Sequence, residues 1–183
     1  MDHLELTQLI TTRMSHDLSG MLGAVYNGTE LLLEDLSFAQ ESASLIQSSS
    51  ENVIARMRFF RQTFGLSKQD EDQTENYLKT FSMSFSLEGI CEDNLVRALI
   101  MALTDYFYKG AQITLSPNKI EAFGPALKDI TPLKEVLLSG KGDVASINAP
   151  AFYAYALARK ENKFFSLNQS DKTLEICILA EEQ

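Results

Sequence analysis

The first third of the chain repeats its apolar positions with the period of an α-helix. Two stripes of apolar residues follow spacings of three, four and seven: Met14, Leu18, Met21, Val25 and Leu32, with Leu4 and Gly28 in register, and then Ile46, Val53, Met57, Phe60 and Phe64. Proline, which interrupts helices, does not occur before Pro117. The pattern therefore predicts two long helices within the first 65 residues.

A polar string separates the two stripes. Ser37, followed three residues later by Gln40, is typical of a capping box that begins a helix, and Gly65 is a typical helix end. The result is a tight helical hairpin. Two helices cannot enclose two apolar stripes by themselves, so we expect two hairpins to pair in a four-helix bundle, which makes the protein a homodimer.

The pattern changes after a polar stretch, LSKQDEDQ, at residues 66–73. A helix is predicted from about Glu92 to Lys109, ending at Gly110, and further helices at Pro132–Leu138 and Ala149–Lys160. Runs typical of β-strands lie at Gln112–Ser116, Lys119–Phe123, Lys163–Leu167 and Leu174–Leu179. This order predicts an α+β sandwich with helices on one face of a small sheet. We expect two domains, residues 1–67 and 74–183.

Composition narrows the classes of partner. The chain is 45% hydrophobic and carries 16 basic against 25 acidic residues, a formal charge of −9. Such a charge disfavours binding to nucleic acid or to an anionic membrane, so we expect protein partners. The N-terminal MDHLELTQL lacks the pattern of a secretory signal and no long apolar run follows, which predicts a cytoplasmic protein.

Few residues could hold a metal or form a disulfide. Cys91 and Cys177 belong to no CxxC-type motif, and we interpret both as small core residues. His3 and His16 are the two histidines. We therefore expect neither a metal site nor a bound cofactor.

His16 is the candidate for chemistry, because helical geometry turns it away from the apolar stripe of its own helix. An imidazole has a pKa of about 6.5, so its neutral form can attack phosphorus through Nε2 at cellular pH. Asp17 could orient the ring or accept its Nδ1 proton, and Arg13 could steady phosphate oxygens. The remaining residues predicted to share its face and to contact a partner are Leu9, Thr12, Ser15, Ser19, Gly20 and Gly23.

The small size of these neighbours admits more than one interpretation. Two glycines inside a helix cost about 1 kcal/mol each relative to alanine, which suggests that another molecule approaches His16 closely. The glycines could equally serve close helix packing, and His16 could be an ordinary surface histidine with an acidic neighbour.

The string MSHDLSGMLGAVYNGTELL resembles the phosphoacceptor box of two-component histidine kinases, and most closely that of the ChpT-type histidine phosphotransferases. A second string, ARMRFFRQTFG, resembles the end of that family's second helix, although Leu18 stands where the family more often has an aromatic residue. The resemblance implies a dimeric histidine bundle followed by a domain shaped like a kinase ATP-binding domain that does not bind ATP. It assigns His16 as phosphoacceptor, Asp17 as its acid-base or orienting partner, and Ser15, Ser19 and Gly20 to the rim that a receiver domain touches.

The implied function is a phosphorelay step in bacterial two-component signalling. The phosphoryl group would pass from the receiver domain of a hybrid histidine kinase to His16 and then to a response regulator, with Mg²⁺ supplied by the receivers. A competent kinase would have asparagine in the segment ALIMALTDYFYKG, which instead contains Asp105, and no DxGxG box follows. Gly140-Lys141-Gly142 is the one string that suggests a glycine lid, but a lone GxG in a polar loop is far more often a turn. The alternatives are an ATP-dependent sensor kinase core and a non-catalytic dimeric scaffold.

Overall fold

The N-terminal part of the protein is a helical hairpin, as the apolar pattern predicted. A computed structural model describes residues 2–65, 71–87 and 93–180. Helix α1 spans His3–Glu34 and helix α2 spans Ala39–Thr63, joined by a 3-10 helix at Leu36–Phe38. The side chain of Asp2 caps α1 in a capping box with Glu5. The prediction of two long helices is confirmed.

The turn of the hairpin is capped differently from the prediction. Asp35, not Ser37, supplies the capping oxygen: its Oδ1 accepts a hydrogen bond of 2.8 Å from the backbone N–H of Ser37. Helix α2 then begins at Ala39 without a side-chain cap. The predicted capping box of Ser37 and Gln40 is therefore wrong, because the preceding aspartate starts a 3-10 helix that continues into α2.

The C-terminal part is an α+β structure with a five-stranded mixed sheet, which confirms the predicted fold class. In chain order its elements are α3 (Thr74–Lys79), β1 (Ser84–Leu87), α4 (Asn94–Leu103), β2 (Gln112–Ser116), β3 (Lys119–Phe123), α5 (Thr131–Ser139), a 3-10 helix (Ser146–Asn148), α6 (Ala149–Lys160), β4 (Phe164–Gln169) and β5 (Thr173–Leu179). The strand order is β1-β2-β3-β5-β4. Strand β1 runs parallel to β2, and the other neighbours are antiparallel.

Helix α4 ends earlier than predicted, at Leu103 instead of Lys109. The Thr104 hydroxyl donates to the carbonyl of Met101 at 2.8 Å, and the Tyr106 N–H donates to the carbonyl of Leu103 at 3.0 Å. These bonds tighten the chain into turns. As a consequence Asp105 lies in a turn that faces α1.

The hydrophobic core joins the hairpin to the C-terminal part. Phe59 and Phe60 of α2 are fully buried, and the Phe59 ring stacks on Tyr77 of α3 with centroids 4.0 Å apart. Met14 and Leu18 of α1 pack against the same core. The apolar stripe of α1, which we expected a second hairpin to cover, is therefore covered in part by the chain's own C-terminal half.

Several sequence predictions concern residues with little or no structural description. Cys91 and residues 66–70 of the predicted linker lie outside the described residues. Cys177 is only half-buried, in β5, so the core prediction does not hold fully for it. The division of the chain into two domains stays a prediction. In the part of the chain that is described, no helix combines the length and the apolar character needed to cross a bilayer.

Candidate functional site

His16 lies on the outer surface of α1 with its side chain 83% exposed. The adjacent residue on the helix, Asp17, is buried, and its Oδ1 lies 3.5 Å from the Nδ1 atom of His16. Since consecutive residues differ by about 100° around a helix, the ring remains in solvent while its neighbour's carboxylate reaches back from the interior. Nε2 is thus the ring nitrogen available to another molecule.

Asp17 is held from its other side by two arginines. The Arg13 Nε donates a hydrogen bond of 3.0 Å to Oδ2 of Asp17, one helical turn away. A guanidinium nitrogen of Arg56, from α2, lies 3.9 Å from the same oxygen. Oδ2 therefore binds the arginines in the interior, and Oδ1 is the oxygen that faces His16.

Arg13 also connects α1 to the C-terminal part of the protein. Its Nη2 donates to Oδ1 of Asp105 at 2.6 Å, and both side chains are nine-tenths buried. Lys128 donates from Nζ to the backbone carbonyl of Asp105 at 2.7 Å. We refer to Arg13, Asp17, Arg56 and Asp105 as the charge cluster; it contains two cations and two carboxylates, and His16 lies at its exposed edge.

Aromatic and hydroxyl groups complete the surroundings of the charge cluster. Arg56 donates from Nε to the Thr80 hydroxyl at 3.0 Å, and its guanidinium carbon lies 3.9 Å from the centroid of the Phe81 ring. The Tyr77 and Thr104 hydroxyl oxygens lie 3.4 Å apart. The cluster is therefore enclosed by α2, α3 and the turn after α4.

Burial and charge act in opposite directions on the groups of the cluster. Burial lowers the pKa of Arg13, but Asp105 and Asp17 outweigh it, so that the pKa lies above its ordinary value. For Arg56 burial dominates and the pKa is lowered. Burial also raises the pKa of Asp105 above its ordinary range, although Arg13 opposes the effect. Asp105 is thus the carboxyl group whose ionised form is disfavoured by its site.

The structure separates the predicted contact residues into two groups. Those exposed around His16 are Thr12, Ser15, Ser19, Gly20 and Gly23. A Cβ atom added at Gly20 or Gly23 would meet nothing within 4 Å. These two glycines therefore do not serve packing within the described chain, whereas Gly28, where a Cβ would lie 2.8 Å from Cγ1 of Ile46, does.

Arg13 and Leu9 occupy different places from those predicted. Arg13 is 7% exposed and faces Asp105, so its side chain does not lie on the outer face that we expected it to share with His16. Leu9 is half-buried and packs against the core. The reason is the same for both: the C-terminal part covers this side of α1, which the helical period alone does not show.

Sequence reasoning did not assign Arg56 to the site, and it noted Asp105 only as a replacement for a kinase asparagine. The signal for Arg56 was weak, since it lies in the arginine-rich string ARMRFFRQTFG among Arg58 and Arg61. Nothing in the local sequence relates either residue to His16, because both come from other elements.

The remaining predicted features supply no ligand site for this cluster. Over residues 2–65, 71–87 and 93–180, no group of three His, Cys, Asp or Glu side chains could hold a metal ion. Gly140 and Gly142 have positive φ angles of 68° and 144°, and Gly140 ends α5. A cleft of about 400 Å³ lies between α5, α6 and β4, and its lining includes no member of the cluster.

Comparisons with known proteins agree with the motif resemblance. The chain is 27% identical to the protein phosphotransferase ChpT of Brucella abortus (strain 2308) over 118 residues, which is 64% of this chain and 50% of that protein. The aligned region thus spans about half the length of that relative. No family model matches the chain.

The solved structures show the fold. A bacterial phosphotransferase superposes with a TM-score of 0.80 at 21% identity and covers 97% of both chains. The histidine kinase AdeS of Acinetobacter baumannii reaches a TM-score of 0.36 at 13% identity, over 89% of this chain and 95% of that one.

Proposed function

Because the chain is similar to the ChpT-type phosphotransferases in sequence and shares its fold with a bacterial phosphotransferase, we propose that it is a histidine phosphotransferase. His16 accepts a phosphoryl group from a phosphoaspartate on the receiver domain of a hybrid histidine kinase and passes it to the aspartate of a response regulator. The observation that carries the proposal is an exposed imidazole whose Nδ1 faces a buried, fixed carboxylate.

The proposed reaction is reversible and uses few groups from this chain. The Nε2 lone pair attacks phosphorus in line, the bond from phosphorus to the aspartyl oxygen breaks, and the receiver recovers its carboxylate. Asp17 stabilises the Nδ1 proton of the imidazolium that forms, and the same proton favours departure of the phosphoryl group to the second receiver. The receiver supplies Mg²⁺, so this chain contributes a positioned nucleophile and a docking surface.

The surroundings of His16 fit a large, close partner. Gly20 and Gly23 leave the helix bare beside the imidazole, and Thr12, Ser15 and Ser19 add only small side chains. The 3-10 helix at Ser146–Asn148 lies against α1 and presents Ile147 to solvent. We therefore propose that a receiver contacts both the bare face of α1 and this apolar loop of the C-terminal part.

A homodimer is also part of the proposal. Although the C-terminal part covers one side of α1, the outside of the hairpin still carries large exposed side chains: Leu22, Tyr26, Leu33, Leu36, Phe38, Ile54 and Met57. An apolar surface of this kind is typical of a helix-helix interface. We propose that a second hairpin covers it.

The test is transfer of radiolabelled phosphate from a phosphorylated receiver domain, after removal of ATP, to the wild-type protein, to His16→Ala and to the matched control His3→Ala. We expect acid-labile, alkali-stable label on the wild type and on His3→Ala, and none on His16→Ala. Label that persists on His16→Ala, or no label on the wild type with a broad set of receivers, would overturn the proposal.

The two rival functions give different results in the same system. A sensor kinase core would bind ATP in a titration and would label itself from γ-labelled ATP without any receiver. A non-catalytic scaffold would take label in neither experiment, and His16→Ala would then match the wild type in every assay.

A further inference from the structure

The charge cluster around Asp17 is larger than the reaction just described requires. We propose that Arg13 and Asp105 are positioning residues for transfer at His16: they fix the orientation of Asp17 and make the transfer rate depend on the C-terminal part being seated against α1. This inference rests on the proposed function. Neither residue touches the reacting atoms.

The two oxygens of Asp17 contact different groups. Oδ2 accepts the 3.0 Å hydrogen bond from Arg13, whereas Oδ1 lies 3.5 Å from Nδ1 of His16. A carboxylate on a short side chain rotates freely unless one oxygen is held. The bond from Arg13 therefore selects which oxygen the imidazole meets.

Arg13 is itself held in place by Asp105. The guanidinium is planar and rigid, so that Nε and Nη2 point in fixed directions, and they reach two different carboxylates at 3.0 and 2.6 Å. Asp105 comes from the turn after α4, far from α1 in sequence. If the C-terminal part moved away from α1, Arg13 would lose this anchor.

Asp105 occupies an unfavourable site. Its Oδ2 is buried and has no hydrogen-bond partner among the described residues. Burial raises the pKa of this carboxyl group, which means that the fold does not favour its charge. A buried carboxyl group with a raised pKa beside a reactive site is more typical of a residue that serves function than of one that stabilises the fold.

The charges that face Asp17 predict opposite effects for two substitutions. Asp105→Asn leaves the cations in excess and disfavours protonation of the imidazole. The pH below which the transfer rate falls should therefore be lower than in the wild type. Arg13→Gln leaves the carboxylates in excess, so the pH below which the transfer rate falls should be higher than in the wild type. Among the described residues, the titratable and charged groups that surround Asp17 and its partner Asp105 are Arg13, His16, Arg56, Tyr77, Tyr106 and Lys128.

The experiment measures single-turnover transfer from one phosphorylated receiver to full-length variants at a series of receiver concentrations and pH values. For Asp105→Asn and Arg13→Gln we expect the saturating rate to fall about tenfold, less than the about 10²- to 10⁴-fold expected for loss of an acid-base group itself. The half-saturating receiver concentration stays unchanged, since both side chains are buried. The double variant is no slower than Arg13→Gln alone, because the two residues act through each other.

Two further variants test whether the loss of any charge, or misfolding of Asp105→Asn, accounts for a lower rate. Asp171→Asn removes an exposed charge in the β4–β5 turn and should match the wild type. Arg13→Lys keeps the charge but cannot span both carboxylates, so it should lower the rate without moving the pH profile, and it carries the test if Asp105→Asn does not fold.

The inference and the proposed function fail in different ways. If the wild type accepts phosphate, His16→Ala does not, and the folded Asp105→Asn or Arg13→Lys variant keeps the wild-type rate, the inference is overturned while the proposed function stands. A change confined to the half-saturating receiver concentration also overturns it, because that result would assign these residues to docking. A wild type that takes no label overturns the proposed function itself.

Discussion

His16 and Asp17 are neighbours in sequence with opposite environments, one exposed and one buried. Helical geometry predicted the exposure of His16 from its angle to Met14 and Leu18. The same geometry failed for Arg13, because its burial depends on Asp105, which is 92 residues away in sequence. Helical geometry therefore predicted the exposure of a residue correctly only on the face of α1 that no other element covers.

At the residue scale, the raised pKa of Asp105 predicts how stability changes with pH. A carboxyl group whose pKa is higher in the folded protein than in the unfolded chain binds more protons when folded. Its contribution to stability is therefore complete below the unfolded pKa and is lost as pH rises through the folded pKa. Asp105→Asn lacks this contribution.

We accordingly expect the difference in unfolding free energy between Asp105→Asn and the wild type to shift in favour of the variant as pH rises from about 4, near the ordinary pKa of Asp, to neutrality. Urea unfolding at several pH values measures it, with Asp171→Asn as control. A difference that stays constant over this range, or that shifts in favour of the wild type, would show that burial does not govern the ionisation of Asp105.

At the element scale, helix α1 uses its glycines in two ways. Gly28 permits close contact with Ile46 of α2, whereas Gly20 and Gly23 face open space. The sequence pattern placed Gly28 in register with the apolar stripe, but it left open whether Gly20 and Gly23 serve packing or access. The choice could not be made without knowing which face α2 covers.

The two uses predict opposite effects of one substitution. Gly20→Ala should raise the free energy of unfolding by about 1 kcal/mol, since alanine is the better helix former and its Cβ meets nothing. Gly28→Ala should lower it, because the new Cβ lies 2.8 Å from Ile46 Cγ1 and overpacking costs about 1–3 kcal/mol. Chemical unfolding of the pair measures both, and an increase for Gly28→Ala would contradict the close packing of the hairpin.

The helices and strands with the clearest pattern of apolar and polar residues were predicted most accurately. Strands β2 and β3 and helix α6 lie at the predicted residues. Strand β1 and helix α3 were missed because they are short, four and six residues, so neither shows more than a brief periodic pattern. Helix α4 was overextended since apolar residues continue through Tyr106 and Phe107 into the turns, where their burial serves the core instead of a helix face.

At the scale of the whole molecule, the exposed apolar face of the hairpin predicts self-association. Leu22→Glu places a charge in this face and should convert the protein from dimer to monomer in sedimentation velocity experiments at micromolar concentration. Leu138→Glu is the matched control, because Leu138 of α5 is 49% exposed, close to the 54% of Leu22, but lies outside the hairpin. A wild type that sediments as a monomer, or a Leu22→Glu variant that remains dimeric, would refute the proposed interface.

Because Arg13 pairs with Asp105, the surroundings of His16 are completed only late in synthesis. The hairpin is synthesised before the C-terminal part, so Arg13 has no Asp105 to contact, and Met14 and Leu18 have no core to cover them, until the later elements have been made. Long-range contacts of this kind form late in folding. A chain that ends before Asp105 therefore exposes His16 without the ion pair that anchors Arg13, and Asp17 is held as in the folded protein only after the C-terminal part has been made.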